Sequence, residues 1–308
     1  MAGIQSIILG ADEIVSDAKK TVGLIGLGLV GTALARRLLG AGFAVAGYDV
    51  EEEKRARLVE LGGRAASSVT ELARECRRIA VAVFNTDQVE DVVEGVLAAM
   101  ASAPGPRAVL NVTTSDPERV AALAARVAPR ALTLLEVPIS GTSEQIARGD
   151  GVGLIGGERE AFDGAADILD AICPKRYFTG AAGNGGKTKL AVNLILGLNR
   201  AALAEGLVFA EQLGLDPREF LEVARGSAAY SQIMDVKGGK MVSGDFAAHG
   251  KVTQSLKDVH LMLDYARRAQ QVLPLTLVSE RLLNGCVDHG EGDWDNSAVM
   301  REIRRLRQ

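Results

Sequence analysis

Residues 26–31 read Gly-Leu-Gly-Leu-Val-Gly, and this hexamer decides the fold. It directly follows an apolar run at residues 22–25 and opens an amphipathic segment at residues 32–39, so the pattern predicts a strand, a tight turn and a helix. Three glycines at this spacing permit the turn, let the backbone approach a pyrophosphate, and allow the helix to pack closely on the strand. The helix N-terminus would offer free N–H groups to the phosphates. We therefore expect a dinucleotide cofactor to be bound by Gly26, Leu27, Gly28, Leu29, Val30 and Gly31.

An acidic residue stands where the second strand of such a unit ends. Asp49 closes the strand predicted at residues 44–49, and its carboxylate can accept hydrogen bonds from the adenosine ribose hydroxyls while repelling a 2′-phosphate. Three glutamates at residues 51–53 add to the repulsion. The sequence therefore favours NAD over NADP, with Lys54 and Arg55 as the residues that keep NADP open. A Rossmann-like domain that binds no dinucleotide is the alternative.

Hydrophobic periodicity divides the chain into two parts. From residue 21 to about residue 179, short β-branched or apolar runs alternate with amphipathic segments, which is typical of a parallel sheet with crossover helices. The predicted strands lie at residues 22–25, 44–49, 79–84, 109–112, 132–136, 152–155 and 177–179. After Gly186 the apolar residues recur at helical spacing and predict no strand. The sequence thus predicts an α/β Rossmann-type N-terminal domain with a mainly parallel sheet, followed by an all-α C-terminal domain that is entered through a long interdomain helix.

This division gives three segments. We expect an N-terminal extension at residues 1–20, a dinucleotide-binding domain at residues 21–182, and an all-helical substrate and dimerisation domain at residues 183–308. The long helix is predicted at about residues 186–213, and its apolar residues wrap most of its circumference, so it is best buried between domains or subunits. A homodimer, or a homotetramer built from dimers, is the expected assembly. Breaks between the later helices are predicted at residues 214–217, 238–239, 274 and 290–292.

Composition excludes several classes of protein. The chain has 308 residues, of which 47% are hydrophobic and 24% charged, and its net charge of -4 disfavours a nucleic-acid or anionic-membrane partner. Three cysteines and three histidines are widely dispersed, so neither a disulfide framework nor a metal site is predicted. No stretch approaches the roughly 18 uninterrupted apolar residues of a membrane span, and the N-terminus lacks the pattern of a signal peptide. We expect a cytoplasmic protein that binds no membrane and no metal.

Residues 183–193 read Gly-Asn-Gly-Gly-Lys-Thr-Lys-Leu-Ala-Val-Asn, which places a glycine cluster directly before the long helix. Lys189 and Asn193 are four residues apart and therefore share one face of that helix, whereas Lys187 points elsewhere. A lysine near the interdomain cleft can exchange a proton with a substrate hydroxyl if burial and the positive helix end lower its pKa. The amide of Asn193 could hold the same oxygen. The alternative is that Lys189 is an ordinary solvated helix residue.

Four motifs in order resemble those of the β-hydroxyacid dehydrogenase family. They are the glycine loop, the segment Glu136-Val-Pro-Ile-Ser-Gly-Thr142, residues 183–193 and the pair Lys257-Asp258. The similarity runs from Thr21 onward and includes a C-terminal segment, residues 292–299, that resembles the ending of the family. The family includes 3-hydroxyisobutyrate dehydrogenases, tartronate semialdehyde reductases, L-threonate dehydrogenases, and glyoxylate and succinic semialdehyde reductases. Four motifs in the correct order are much more specific than any one of them.

The resemblance implies a role for each matching residue. Lys189 corresponds to the catalytic lysine of the family, and Asn193 corresponds to an asparagine that binds the reacting substrate. The loop that holds the substrate carboxylate, through a hydroxyl and backbone N–H groups, corresponds to Ser140, Gly141 and Thr142. Cofactor contacts are implied for Asn85, Thr113, Lys257 and Asp258. For Asn85 and Thr113, ordinary capping at strand ends is the alternative.

Four positions depart from the family pattern. Thr142 stands where the family usually has a second glycine, which narrows the carboxylate loop or adds a hydroxyl to it. Glu136 and Asn111 each replace a usual aspartate, and we expect these changes to leave the chemistry unaltered. Gly250 stands where relatives carry a phenylalanine near the substrate, so one wall of the pocket is altered. The identity of the substrate therefore does not follow by analogy.

These observations predict an NAD-dependent oxidoreductase that interconverts a small, anionic β-hydroxy acid and its semialdehyde or keto acid. Lys189 would take the hydroxyl proton as a hydride passes to the nicotinamide. One alternative is a catalytically silent dinucleotide-binding sensor or interaction protein, which the retention of Lys189 argues against. A second alternative is an imine reductase, a class that shares the architecture but usually lacks the lysine.

Overall fold

The computed structural model describes residues 20–306. The N-terminal extension predicted at residues 1–20 lies outside the described residues except for Lys20. The chain forms two compact units, of which the first ends at Lys189 and the second begins at Leu190. The domain boundary predicted at residue 183 stays a prediction.

The first unit is built on a six-stranded sheet with the strand order β3-β2-β1-β4-β5-β6, in which every pair is parallel. The strand order reverses beside β1, and dinucleotides bind at this switch point in sheets of this kind. The strands are β1 Thr21–Ile25, β2 Ala44–Tyr48, β3 Arg64–Ala65, β4 Arg78–Val81, β5 Arg107–Asn111 and β6 Leu132–Glu136.

Both faces of this sheet are packed. Successive side chains of a strand point to opposite faces, and in β4 the buried Ile79 and Val81 belong to one apolar cluster while Ala80 belongs to the other. The covering helices of the first unit are α1 Leu29–Gly40, α2 Glu52–Glu60, α3 Val69–Glu75, α4 Thr86–Ser102, α5 Pro117–Val127, α6 Ser143–Arg148, α7 Arg159–Gly164 and α8 Ala166–Ile172, with a 3-10 turn at Ala128–Arg130.

A second, three-stranded sheet follows in the same unit. It contains β7 Ile139–Ser140, β8 Val152–Ile155 and β9 Lys175–Phe178; β7 and β8 are antiparallel, and β8 and β9 are parallel. The sequence predicts the last two strands as part of one mainly parallel sheet, and the structure corrects this point. Only two residues separate β6 from β7, which is too short for the crossover that a parallel neighbour needs.

The second unit is helical, as predicted. Residues 190–306 contain no strand apart from an isolated bridge between Lys251 and Asp295. The long helix α9 begins in the first unit and continues into the second. The helices are α9 Asn184–Gln212, α10 Pro217–Arg225, a π-helix at Met234–Gly238, α11 Gly239–Ser243, α12 Val252–Arg268, α13 Pro274–Asp288, a 3-10 turn at Asn296–Ala298 and α14 Val299–Arg305.

The helix break predicted at residues 238–239 is wrong. The π-helix passes directly into α11, and Gly238 has helical dihedral angles. A Cβ atom on Gly238 would lie 2.7 Å from Cδ1 of Leu221, so this glycine allows a close approach of side chain to helix and does not end the helix.

The long helix is close to its prediction at residues 186–213. Among residues 20–306, α9 is the one helix long and apolar enough to cross a membrane by length and composition alone. A single helix of this kind is weak evidence for a membrane span, because a helix covered by a protein surface has the same composition. Much of its apolar surface is open, with Ile195 61% exposed and Phe209 62% exposed.

Candidate active site

The glycine loop between β1 and α1 has a closed side and an open side. A Cβ atom on Gly26, which has a φ of 87°, would lie 2.4 Å from the carbonyl oxygen of Ala82, and one on Gly31 would lie 1.9 Å from the carbonyl oxygen of Gly26. A Cβ atom on Gly28 would meet nothing within 4 Å. The fold therefore requires the first and third glycines, whereas the second leaves open space above the loop.

We expect alanine at Gly31 to lower the stability of the protein and alanine at Gly28 to weaken cofactor binding. Gly31→Ala forces a methyl group against backbone and should destabilise the protein by about 1–3 kcal/mol or more. Gly28→Ala should leave the melting temperature unchanged and raise the Kd of NADH about tenfold, equivalent to about 1.4 kcal/mol, because the methyl group stands where the pyrophosphate approaches. Thermal melts and NADH fluorescence titrations measure both effects. Tight NADH binding by Gly28→Ala would contradict the expected role of the loop.

Asp49 joins the end of β2 to the glycine loop. Its buried carboxylate accepts the backbone N–H of Leu27 at 2.7 Å and that of Glu51 at 3.0 Å. Lys54 lies 3.9 Å from the same carboxylate and 2.5 Å from the carboxylate of Glu51. The guanidinium of Arg55 donates to the carbonyl oxygen of Asp49 at 2.5 Å. Lys54 and Arg55, the two residues that could favour NADP, are therefore both paired with oxygen atoms of the protein.

The two other predicted cofactor residues of the first unit hold the ends of strands or helices. Asn85 caps α4, since its side-chain oxygen accepts the N–H of Gln88 at 3.0 Å. The hydroxyl of Thr113 accepts the N–H of Val83 at 3.0 Å and donates to the carbonyl oxygen of Val83 at 3.1 Å. This is the capping role that the sequence leaves open, and a cofactor contact by either residue stays a prediction.

The predicted carboxylate loop follows β7. Gly141 has a φ of 151°, which favours glycine, and Thr142 then caps α6 through a capping box with Gln145. The N–H of Thr142 donates to Oε1 of Gln145 at 2.9 Å, and the Thr142 hydroxyl oxygen accepts the N–H of Gln145 at 3.2 Å. The N–H and the hydroxyl oxygen of Thr142 are thus engaged in the cap, and an anion contact by Ser140 or Gly141 stays a prediction.

Lys189 is held beside this loop within the first unit. It lies near the start of α9 with 6% of its surface exposed, and its Nζ donates to the carbonyl oxygen of Ile139 at 2.8 Å. Ile139 directly precedes Ser140, so the predicted catalytic lysine and the predicted carboxylate loop meet. Because the lysine is buried, the alternative of a solvated helix residue is wrong.

In the second unit, Asn193 meets the predicted Lys-Asp pair. Its side-chain N–H donates to Oδ2 of Asp258 at 2.8 Å, and Nζ of Lys257 lies 2.9 Å from Oδ1 of the same carboxylate. Asp258 is buried and therefore orients both neighbours. Sequence reasoning places Lys257 and Asp258 with the cofactor and does not anticipate the bond to Asn193.

The interior of the second unit also holds charges that sequence reasoning missed. The carboxylate of Asp295 is fully buried and accepts hydrogen bonds from Nζ of Lys237 at 2.8 and 2.7 Å. Burial alone would raise the pKa of Asp295, but the nearby Lys237 ammonium and several hydrogen bonds lower it. Arg200, on α9, is also buried, and burial lowers its pKa to about 10 although Asp295 and Asp258 favour its charged form.

Clustered metal ligands and exposed thiols are both missing from the described residues. Between residues 20 and 306, no group of three or more His, Cys, Asp or Glu residues could hold a metal ion. Cys76, Cys173 and Cys286 are free and buried, and burial raises their pKa values to about 11, 12 and 12. These thiols stay protonated at neutral pH and are poor nucleophiles.

Known proteins match both units. Residues 21–180 match the family model of the NAD binding domain of 6-phosphogluconate dehydrogenase, and residues 183–303 match the NAD-binding model of NADP-dependent 3-hydroxyisobutyrate dehydrogenase. The chain is 32% identical to an L-threonate dehydrogenase of Cupriavidus necator over 92% of this chain and 95% of that protein.

Solved structures resemble the chain over nearly the same extent. A 3-hydroxyisobutyrate dehydrogenase from Salmonella typhimurium superposes with a TM-score of 0.83 at 28% identity, covering 91% of this chain and 99% of that one. The structure of Psf3 in complex with NADP+ and 2-OPP superposes with a TM-score of 0.81 at 25% identity, also covering 91% and 99%.

Proposed function

Because this chain belongs to the β-hydroxyacid dehydrogenase family and is an NAD(P)-dependent dehydrogenase acting on CH–OH groups, we propose that it interconverts a small, anionic β-hydroxy acid and the corresponding semialdehyde or keto acid. Lys189 is the proton donor and acceptor of this reaction. The observation that carries the proposal is the burial of Lys189 with its Nζ 2.8 Å from the carbonyl oxygen of Ile139, next to Ser140.

The residues around the glycine loop fit a dinucleotide. Gly28 is the N-cap of α1 and has no side-chain cap hydrogen bond, so the first N–H groups of this helix are not capped by a side chain. The open space above Gly28 lies at the same helix end. Free N–H groups and a positive helix end are suited to a pyrophosphate. When bound, the nicotinamide supplies the hydride acceptor or donor.

The remaining chemistry belongs to side chains of the enzyme. In the oxidation, Lys189 accepts the proton of the substrate hydroxyl as the C–H bond breaks, and in the reduction it returns that proton to the carbonyl oxygen. Asn193 lies one helical turn further along α9 on the same face, and its amide orients the reacting oxygen. The Ser140 hydroxyl and the Gly141 N–H hold the substrate carboxylate.

For the cofactor, we propose NAD in preference to NADP. The Asp49 carboxylate stands at the end of β2 where the ribose hydroxyls bind, and its charge repels a 2′-phosphate. Lys54 is 2.5 Å from Glu51 and Arg55 donates to a backbone carbonyl, so neither cation is presented alone to a phosphate.

Asp49→Asn is expected to weaken this preference. The amide keeps an acceptor for the Leu27 N–H but loses the charge, so the ratio of the Kd of NADPH to that of NADH should fall about tenfold, which corresponds to about 1.4 kcal/mol. Fluorescence titration with NADH and with NADPH measures the ratio. Damage to the glycine loop alone would raise the two Kd values together and leave their ratio unchanged. Glu60→Gln, at an exposed side chain at the far end of α2, is the control. An unchanged ratio would contradict the proposed role of Asp49.

An absorbance assay at the NADH band tests the proposed reaction. The panel contains L-threonate, 3-hydroxyisobutyrate, glycerate, 4-hydroxybutyrate and their oxidised partners, each with NAD and with NADP. We expect turnover of at least one hydroxy acid with NAD. Binding of NADH without turnover of any compound would favour the silent dinucleotide-binding protein.

The exposed apolar side of α9 supports a proposal for assembly. Ile195 and Phe209 are both more than half exposed in the single chain, and apolar helix surface of this extent is stable when another subunit covers it. We propose a homodimer, or a homotetramer built from dimers, in the cytoplasm. The net charge of -4 supports the absence of a nucleic-acid partner.

A further inference from the structure

We propose that Glu136 is a positioning residue for Lys189, because its carboxylate fixes the first turn of α9 against the strand that leads to the substrate loop. This inference rests on the proposed role of Lys189 as the proton donor and acceptor. All the contacts that support it lie within the first unit.

The carboxylate of Glu136 accepts hydrogen bonds from backbone N–H groups at the N-terminus of α9. Its Oε2 accepts the N–H of Gly183 in a short hydrogen bond, and its Oε1 accepts the N–H of Gly186 at 3.0 Å. N–H groups in the first turn of a helix have no partner inside the helix, and a carboxylate is a favourable acceptor for them. Glu136 therefore acts as a cap for α9 from another element.

Glycine is needed at this contact because the two segments approach closely. A Cβ atom on Gly185 would lie 2.7 Å from the carbonyl oxygen of Leu154, and one on Gly186 would lie 3.0 Å from Oε1 of Glu136. Side chains at these positions would push the helix away from the carboxylate. The glycine cluster therefore allows the start of α9 to pack closely against β6 and β8, in addition to permitting a turn of the chain.

The backbone of Glu136 is fixed as firmly as its side chain. Its N–H donates to the carbonyl oxygen of Gly156 at 2.8 Å, and its carbonyl oxygen accepts the N–H of Gly156 at 3.1 Å, which joins β6 to the second sheet. Only 2% of Glu136 is exposed. Burial raises the pKa of this carboxyl, although the N–H groups of Gly183, Gly186 and Gly185 oppose the shift.

The same short segment holds α9 at a second point. Three residues after Glu136, the carbonyl oxygen of Ile139 accepts Nζ of Lys189 at 2.8 Å. Residues 136–140 therefore set both the start of the helix and the position of Nζ of Lys189 relative to Ser140. A change at Glu136 should move Lys189 without touching the cofactor loop, and misplacement of a reacting group by about 1 Å can cost about a hundredfold in rate.

The test compares Glu136→Gln with Glu136→Asp. Gln keeps the shape but loses the charge and one acceptor, so we expect kcat to fall about tenfold to a hundredfold, the primary deuterium isotope effect of the substrate C–H bond to rise, and the Kd of NADH to stay unchanged. Glu136→Asp retains the carboxylate and should recover most of kcat. Wild-type kcat in Glu136→Gln, or equal losses in both variants, would overturn the inference.

A second variant keeps the test decisive if Glu136→Gln does not fold. Gly186→Ala disturbs the contact from the helix side, and we expect the same lower kcat and larger isotope effect with unchanged NADH binding. Wild-type kcat and isotope effect in Gly186→Ala would overturn the inference. Lys189→Met separates the two proposals: wild-type kcat in that variant would contradict the proposed function itself, whereas a strongly lowered kcat in Lys189→Met beside wild-type kcat in Glu136→Gln would overturn only the role of Glu136.

Discussion

Lys189→Met should lower kcat by about 10²–10⁴-fold, the usual contribution of a general acid or base, and leave the Kd of NADH unchanged. The thioether fills nearly the same buried volume but carries no exchangeable proton. It also cannot donate to the carbonyl oxygen of Ile139. Steady-state assays with the best substrate of the panel and NADH fluorescence titrations measure the two quantities.

Lys187→Met is the matched control for this experiment. Lys187 lies two residues earlier on the same helix and is exposed. We expect its loss to change neither kcat nor NADH binding. Equal losses of kcat in both variants would mean that activity depends on the total positive charge at the start of the helix and not on proton transfer by Lys189.

Asp295→Asn should destabilise the protein by about 3–5 kcal/mol, because it leaves the buried ammonium of Lys237 without its counter-charge. In addition to Lys237, the carboxylate accepts the N–H of His249 at 2.9 Å and the hydroxyl of Ser297 at 2.7 Å. Urea unfolding and thermal melts measure the loss. Since the pKa of Asp295 is lowered in the folded protein, its contribution to stability is fully present above the ordinary carboxyl pKa of about 3.9, declines as the pH falls below that value, and is gone once the folded form is also protonated.

Asp293→Asn is the corresponding control, two residues away. The side chain of Asp293 is 83% exposed and pairs with Lys251 at 2.7 Å. Exposed ion pairs contribute little, so we expect no measurable loss of stability. If Asp295→Asn were as stable as this control, the pair with Lys237 would not be holding the interior of the second unit together.

The fold was largely predictable because its main elements differ clearly in length and apolar content. The apolar runs that form β1 and β6 have the length of buried strands, and the apolar segment that forms α9 has a length typical of a helix. The two-residue strands β3 and β7 are too short to show any period. The sequence predicts a break at Gly238, where the helix in fact continues, because glycine is common both at turns and at close helix contacts.

The candidate site was predictable where its residues are neighbours in sequence. Lys189 and Asn193 share a helix face because of their spacing, and their roles stay predictions. The bonds from Gly183 to Glu136 and from Asn193 to Asp258 join residues 47 and 65 positions apart, so no local pattern contains them. One signal was present for Glu136, since an acidic residue at the end of an apolar strand must find partners when it is buried.

The glycine loop contains two positions at which substitution is constrained by the fold, Gly26 and Gly31, and one at which the fold tolerates it, Gly28. Atoms of the protein itself occupy the space beside Gly26 and Gly31, so any larger residue there acts against folding before it acts on the cofactor. The space above Gly28 is bounded by no protein atom within 4 Å. Natural drift and deliberate engineering can therefore retune cofactor affinity from that open side at little risk to the scaffold.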